Sequence, residues 1–148
     1  MIYLDTSIVL AHLLAEDRSP PERLWKEPLV SSRLLVYETW VRIHARNLGQ
    51  SHAEAVNDLL GRISFLELEP QVLARALEPF PVQVRTLDAL HFASLEFLRG
   101  LGQKVELFVV DNKSDKVESA NAVKRLIDKE KVVAIIGTYG SSLAMAGG

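Results

Sequence analysis

Five acidic residues stand where a carboxylate can do more than keep the chain in water. Asp5 closes the apolar run Met1–Leu4, and Asp111 closes Val105–Val110, with Asp115 one helical turn beyond it. Asp88 opens the helical stretch Leu-Asp-Ala-Leu-His-Phe-Ala, and Glu38 interrupts the otherwise apolar Leu-Val-Tyr-Glu-Thr-Trp. Taken singly, Asp5 and Asp88 read equally well as helix caps, Glu38 as a solvated edge, and Asp111 with Asp115 as a turn and a cap. Taken together, they fall at strand ends and helix starts, which open α/β sheets gather along one edge as a ligand crevice. Helix N-termini there favour negative charge, and a Glu on an apolar helix face is costly without a partner or a cation. Carboxylate oxygens suit Mg²⁺ or Mn²⁺, and no thiol or histidine cluster competes for a softer metal. Such an ion activates water and offsets the charge that builds on a phosphodiester. Without it, so acidic a site would repel an RNA backbone.

The other chemistry-bearing residues make weaker patterns. His91 lies one turn after Asp88 and is a candidate base, with a half-buried place on a helix face expected for it. His12, His44 and His52 have no metal-ligand spacing, and Gly137 to Ser141 lacks the lysine and frame of a phosphate loop. Arg42, Arg46, Arg85 and Arg99 can line an RNA path beside the acids. Tyr37, Trp40 and Val41 make an apolar strip on the Glu38 helix, core by default and a docking face otherwise.

Positioning these residues requires alternating strands and helices. Met1–Leu4 reads as a strand, Thr6 and Ser7 as N-cap residues, and Ile8–Ala15 as an apolar helix. After a polar turn at Glu16–Pro21, Leu29 and Val30 form a second strand, and a helix carries Leu34, Leu35, Glu38, Val41 and Arg42 to about Gly49. Ser51 with Glu54 predicts a capping box on a helix to about Leu60. Phe65–Leu68 alternates as a strand, Pro70–Leu77 is helical, and Phe80–Val84 is a loop. The helix Thr86–Leu98 shows Leu87, Leu90, Ala93 or Ser94, and Phe97 on one face, with Gly100 and Gly102 ending it. Beyond it come a strand at Val105–Val110, a helix at Lys116–Asp128 with the stripe Val117, Ala120, Val123, Leu126 and Ile127, a strand at Val132–Ile136, and a Gly/Ser loop at Gly137–Ser142. The order predicts an α/β fold, a central mainly parallel sheet between two helical layers (α/β/α, Rossmann-like).

The 148 residues, 48% hydrophobic and 24% charged, suit one globular domain with a substantial core. Without cysteine there are no disulfides or thiolate metal sites. No apolar run reaches the length of a membrane span, and Asp5 sits where a secretory signal would be apolar, so no membrane association and a cytoplasmic location are expected. A net charge of −2 argues against a strongly basic nucleic-acid module, so any nucleic-acid contact must come from a local patch or a metal. One break divides the chain. Before Lys104 the basic residues are nine Arg and one Lys; from Lys104 onward they are one Arg and six Lys. All prolines and histidines precede it too. The switch predicts a junction between sequences of different origin near Gly102 to Asp111.

Ile-Tyr-Leu-Asp-Thr-Ser at 2–7, the Glu38 helix, and Arg-Thr-Leu-Asp-Ala-Leu-His-Phe-Ala at 85–93 resemble, in order, the three leading motifs of the PIN domain. Within that family they are most similar to VapC-type toxins of toxin–antitoxin pairs. The resemblance covers about residues 1–111. It implies a PIN-like sheet, endoribonuclease activity on RNA, and Mg²⁺ or Mn²⁺ held by Asp5, Glu38 and Asp88, with Thr6 or Ser7 orienting an acid or a bound water. A fourth acid follows the next strand in the family; Asp111 at the strand end and Asp115 behind Asn112 both match, and the choice stays open. The resemblance also implies a homodimer and an antitoxin protein partner. Residues 105–148 instead resemble a β-α-β piece of the periplasmic binding proteins for branched-chain amino acids. The loop matching Gly137–Ser142 would there touch a ligand carboxylate, but one half-site cannot enclose a ligand. The expectation is therefore a single α/β domain over 1–148, PIN-like over 1–104 and a grafted fragment over 105–148. The alternative is a recombined or engineered chimera that retains the fold and no activity.

Overall fold

The computed structural model describes residues 1–15, 20, 22–81, 83–103, 121, 125 and 129. In chain order the elements are β1 (Ile2–Tyr3), α1 (Thr6–Leu13), a 3-10 turn (Glu22–Lys26), β2 (Leu29–Ser32), α2 (Arg33–Ala45), α3 (Ala53–Leu60), β3 (Ile63–Leu66), α4 (Pro70–Ala76) and α5 (Thr86–Gly100). The three strands are parallel in the order β1-β2-β3, with Ile2 opposite Leu29, Tyr3 opposite Val30, and Leu29 opposite Ile63.

Because side chains alternate across a strand, this register sorts the core into two faces. Leu4, Leu29 and Ile63 join Val9, Leu35, Ile43, Val56 and Leu59 on the side of α1, α2 and α3. Tyr3 and Val30 point the other way and pack against Leu95 and Leu98 of α5. All four residues of β2 are buried, as a strand covered on both faces must be. The fold is the expected α/β sheet between helical layers. Leu95 and Leu98, each worth about 1.5–3 kcal/mol when fully buried, seat α5 on the sheet. Arg75 ties α4 to α5, pairing with Glu96 while its guanidinium lies 4.2 Å from the centroid of Phe80.

Several boundaries differ from expectation for identifiable reasons. Asp5, rather than Thr6 or Ser7, caps α1; its carboxylate accepts from the Ser7 N–H at 3.4 Å and from Ser7 Oγ at 2.6 Å. The capping box does not form, because Ser51 Oγ reaches Leu48 O (3.3 Å) and His52 Nδ1 (2.8 Å), and α3 starts after His52. Helix α2 stops at Ala45, four residues before Gly49. Asn47 takes the left-handed turn at φ 58°, which Asn tolerates. Gly49 serves instead a close approach: a Cβ there would lie 2.5 Å from His44 Cδ2. Strand β3 starts two residues earlier than the alternation at Phe65 predicts, and Gly102, at φ +79°, follows α5.

The largest correction is the face of α5. Leu87 is 40% exposed, and the buried positions are Ala89, His91, Ala93, Ser94, Leu95 and Leu98. Ala93 and Ser94 of the expected face are buried, Ser94 Oγ donating to Leu90 O at 2.7 Å, but His91, bonded on both ring nitrogens, turns the inward face toward Leu95 and Leu98 and away from Leu87. The strands expected at 105–110 and 132–136 and the loop at 137–142 lie outside the described residues, as does most of the helix at 116–128. Within that helix Asn121 and Arg125 are helical, and the Lys129 N–H donates to Arg125 O at 2.9 Å. Both are exposed.

Candidate active site

Each of the three leading acids reaches its place by a different route. Asp5 follows β1 directly, held as the cap of α1. Glu38 lies on the second turn of α2, which starts as β2 ends at Ser32. Asp88 is the third residue of α5, one turn before His91 and therefore on the same inward face. Parallel strands make β1 and β2 end on one edge of the sheet, so Asp5 and Glu38 share that edge.

His91 joins them. Its side chain is 1% exposed, and Nε2 donates to Glu38 Oε2 at 2.9 Å while lying 3.8 Å from Asp5 Oδ1. Thr6 Oγ1 donates to the same Glu38 oxygen at 2.5 Å. On the far side of the ring, the Tyr3 hydroxyl bonds Nδ1 at 2.9 Å, and the two rings meet edge to face. The expected half-buried histidine is thus fully buried, and it is the hub of the site. Its signal was the three-residue offset from Asp88, and the signal for Tyr3 was its alternation with Leu4 across β1.

The electrostatics follow from this packing. Burial pushes the Glu38 carboxyl up, but hydrogen bonds from His91 and Thr6, with the charges of His91 and Arg42, outweigh it and leave the pKa below the usual value. Asp88 moves the other way. Burial raises it, the charge of Asp5 raises it further and Glu38 adds to this, against partial relief from His91 and Arg85. The Tyr3 phenol is raised by burial, moderated by the hydroxyls of Ser32, Ser31 and Ser94. Asp88 therefore senses Asp5 and Glu38 as like charges, which a cation would relieve.

As a donor set the residues suit a hard cation: carboxylates, a hydroxyl, and a Glu38 oxygen, Oε1, that takes no hydrogen bond from a described residue. In separation they are looser. Among the described residues no group of three or more His, Asp or Glu side chains converges enough to hold a metal ion. Asp111 and Asp115, the candidates for the fourth acid, lie outside the described residues. Ser7 is exposed and bonds Asp5, whereas Thr6 is buried and bonds Glu38, so each hydroxyl orients a different acid.

The surroundings sort the remaining candidates. Arg42, four residues after Glu38 on one face of α2, and Arg85, capping α5 beside Asp88, are exposed and take part in no ion pair among the described residues. Arg46 is one turn further along α2, and Arg99 lies at the other end of α5, about 16 Å from Asp88 at the helical rise. Tyr37 (62%) and Val41 (46%) are exposed on α2, while Trp40 packs against the core and leaves the strip. A separate open groove between α4, its following loop and the start of α5 is lined by Leu77, Phe80, Arg85 and Leu90 and by none of the three acids. No described helix is long and apolar enough to cross a membrane.

Comparison with known families gives two matches. A model of the PIN domain matches residues 2–100, and a model of the periplasmic binding protein family matches residues 90–148. Both expected resemblances are thereby found, with the second starting inside α5, upstream of the expected junction. No curated protein and no solved structure matches the chain.

Proposed function

The chain belongs to the PIN-domain family through residues 2–100, whose members are generally nucleases, and on that premise we propose that it is a metal-dependent endoribonuclease of the toxin type. The observation that carries the proposal is the approach of Asp5 and Glu38 to His91 Nε2 at the end of β1 and β2, with Asp88 within electrostatic reach of all three. Asp5, Glu38 and Asp88 would hold Mg²⁺ or Mn²⁺, with Asp111 or Asp115 as a further ligand. Bound there, the ion supplies Lewis-acid activation of water and neutralisation of the charge on the scissile phosphodiester.

The chain's own residues do the rest. Thr6 and His91 keep Glu38 ionised and fixed in orientation, and Ser7 fixes Asp5. Asp88, whose pKa burial and the charge of Asp5 raise, would gain from a nearby cation. Arg42 and Arg85 flank the acids with exposed guanidinium groups suited to backbone phosphates. By the same family reading the partners are an RNA substrate, an antitoxin protein and a second copy of the chain, in the cytoplasm. The division into a PIN-like 1–104 and a grafted 105–148 belongs to this reading as well.

A second reading has its own support. The binding-protein match extends to the end of the sequence given, over the region where the fourth acid falls, and the three described acids do not converge to ligand distances. This favours a chimera with the fold and no activity. Asp5→Ala and Asp88→Ala, each checked for an intact circular dichroism spectrum, should abolish Mg²⁺-dependent RNA cleavage; undiminished cleavage by either variant would refute the assignment. Calorimetric titration of the wild-type chain with Mn²⁺ separates the two readings, since a folded protein that binds no ion is the inert scaffold.

A further inference from the structure

The groove between α4, the loop after it and the start of α5 holds about 730 Å³, within the roughly 300–1,000 Å³ of sites that take small organic groups. Its wall is apolar: Leu73 and Leu77, the latter 89% exposed, stand with Leu90 beside the half-buried ring of Phe80. That ring is fixed from within the fold. The Arg75 guanidinium, which is not part of the lining, lies 4.2 Å from its centroid and pairs with Glu96, and the ring of Phe92 meets it at 5.9 Å. Apolar side chains gathered in a concavity and left open to water mark a place that something covers.

Charge and position sort the occupants. Two charged side chains line the groove, Glu78 and Arg85. The Glu78 carboxylate lies 3.9 Å from Arg75 Nε, which offsets its charge, whereas Arg85 is exposed and takes part in no ion pair among the described residues. The free charge of the groove is thus positive, and it sits where groove and acids adjoin: Arg85 and Ala89, both in the lining, are neighbours of Asp88 around the first turns of α5. An occupant that suits both ends carries an anionic group joined to a flat, largely apolar one. A nucleotide of a single strand is built that way: its phosphate suits a guanidinium, its unpaired base stacks on an aromatic ring, and the Gln83 amide at the rim can bond a base edge. We propose that this groove is a nucleobase subsite of the RNA path, in which a phosphate of single-stranded RNA rests on Arg85 and the adjoining base turns away from the acids to stack on Phe80. The proposal deepens the RNA-substrate reading and rests on it. A second copy of the chain would cover the Leu73–Leu77 wall without using Arg85, and is the competing outcome.

The test uses the full chain carrying Asp5→Ala, so that RNA stays intact, with two labelled probes at fixed Mn²⁺: a short single-stranded RNA, and an abasic ribose-phosphate strand of the same length. Phe80→Leu keeps an apolar side chain beneath Arg75 but removes the stacking face. It should weaken RNA binding roughly 5–150-fold, the usual cost of losing one base–aromatic stack, with the salt dependence unchanged because no phosphate contact is lost. Leu77→Gln, at a position already in water, should weaken binding in the same direction, so a folding failure of Phe80→Leu does not close the question. The abasic strand should bind the parent and both variants alike. RNA affinity unchanged by both substitutions, or an equal loss on the abasic strand, would overturn the base subsite while leaving the RNA reading standing. Variants that bind RNA as the parent does but sediment as smaller species would assign the groove to a second copy and overturn the proposal. A parent chain that binds no RNA would overturn the RNA reading and this subsite together.

Discussion

If RNA passes over the acids, Arg42 and Arg85 should carry a measurable share of its phosphate contacts. The chain's net charge of −2 gives no general attraction for a polyanion, so local cations must supply it. Arg42 is one turn from Glu38, about 6 Å along α2, and Arg85 precedes Asp88 by three residues at the start of α5. Each contact to single-stranded RNA contributes about 0.7 to the slope of log affinity against log salt. Over a fourfold rise in salt, one such contact therefore changes affinity by about 2.6-fold, and two by about 7-fold. The assay is anisotropy of a labelled single-stranded RNA bound to the Asp5→Ala chain, at fixed Mn²⁺ and from 50 to 200 mM salt, roughly the range over which such contacts are read. Arg42→Ala and Arg85→Ala should each flatten the slope by about 0.7, and the double variant by about 1.4. Arg62 is the control: it is exposed, but it stands just before β3, at the opposite edge of the sheet. A slope that Arg62→Ala flattens as much as Arg42→Ala does would refute the path. So would a slope that only Arg99→Ala changes.

Three further outcomes follow from the packing. Asp88→Asn should stabilise the metal-free chain at neutral pH: the raised pKa means the folded state holds its proton more tightly, so wild type loses stability as pH rises from the ordinary carboxylate value to the raised one. The gain, read by denaturant melts in chelator, should vanish on acidification, and a gain independent of pH would show that burial and like charge are not its cause. Arg75→Met should lower stability by about 1–3 kcal/mol, since it removes the charged bond to Glu96 and the stacking on Phe80 together; a melt unchanged from wild type would mean α4 is held by its apolar contacts alone. Sedimentation should detect a dimer that Tyr37→Glu weakens, because Tyr37 and Val41 are the exposed part of the α2 strip; a wild-type monomer at high concentration would count against the homodimer.

The acids were legible because strand ends and motif order are properties of the linear sequence. Asp5, Glu38 and Asp88 could be placed on one sheet edge from the alternation of elements alone. The contacts that join them were not legible, and α5 shows why. Its apolar residues support two stripes, one through Leu87, Leu90 and Phe97 and another through Leu95 and Leu98. The choice depends on what waits across the interface. Tyr3 and Glu38 offer partners to His91, so the polar-containing stripe turns inward. Capping failed for a similar reason. Ser51 has the right spacing from Glu54, but its hydroxyl has closer acceptors in Leu48 and His52. Local pattern proposes bonds, and tertiary neighbours decide which are made.

The overlap of the two family matches over residues 90–100 lies within α5, and the packing explains why a change of descent is tolerable there. A helix on a parallel sheet needs little more than an apolar stripe of suitable volume, which sequences of different origin can supply. In this chain Leu95 and Leu98 meet that need against Tyr3 and Val30. Both core clusters, the three acids, Thr6, Tyr3 and His91 all fall within the PIN match. Among the described residues, the parts that form the sheet and orient Glu38 therefore all lie before the end of α5. On the proposed reading, the second stretch would add one carboxylate, Asp111 or Asp115, both outside the described residues. A folded chain that binds no Mn²⁺ would then place the defect in that carboxylate or in the spacing of the three described acids, and not in the fold.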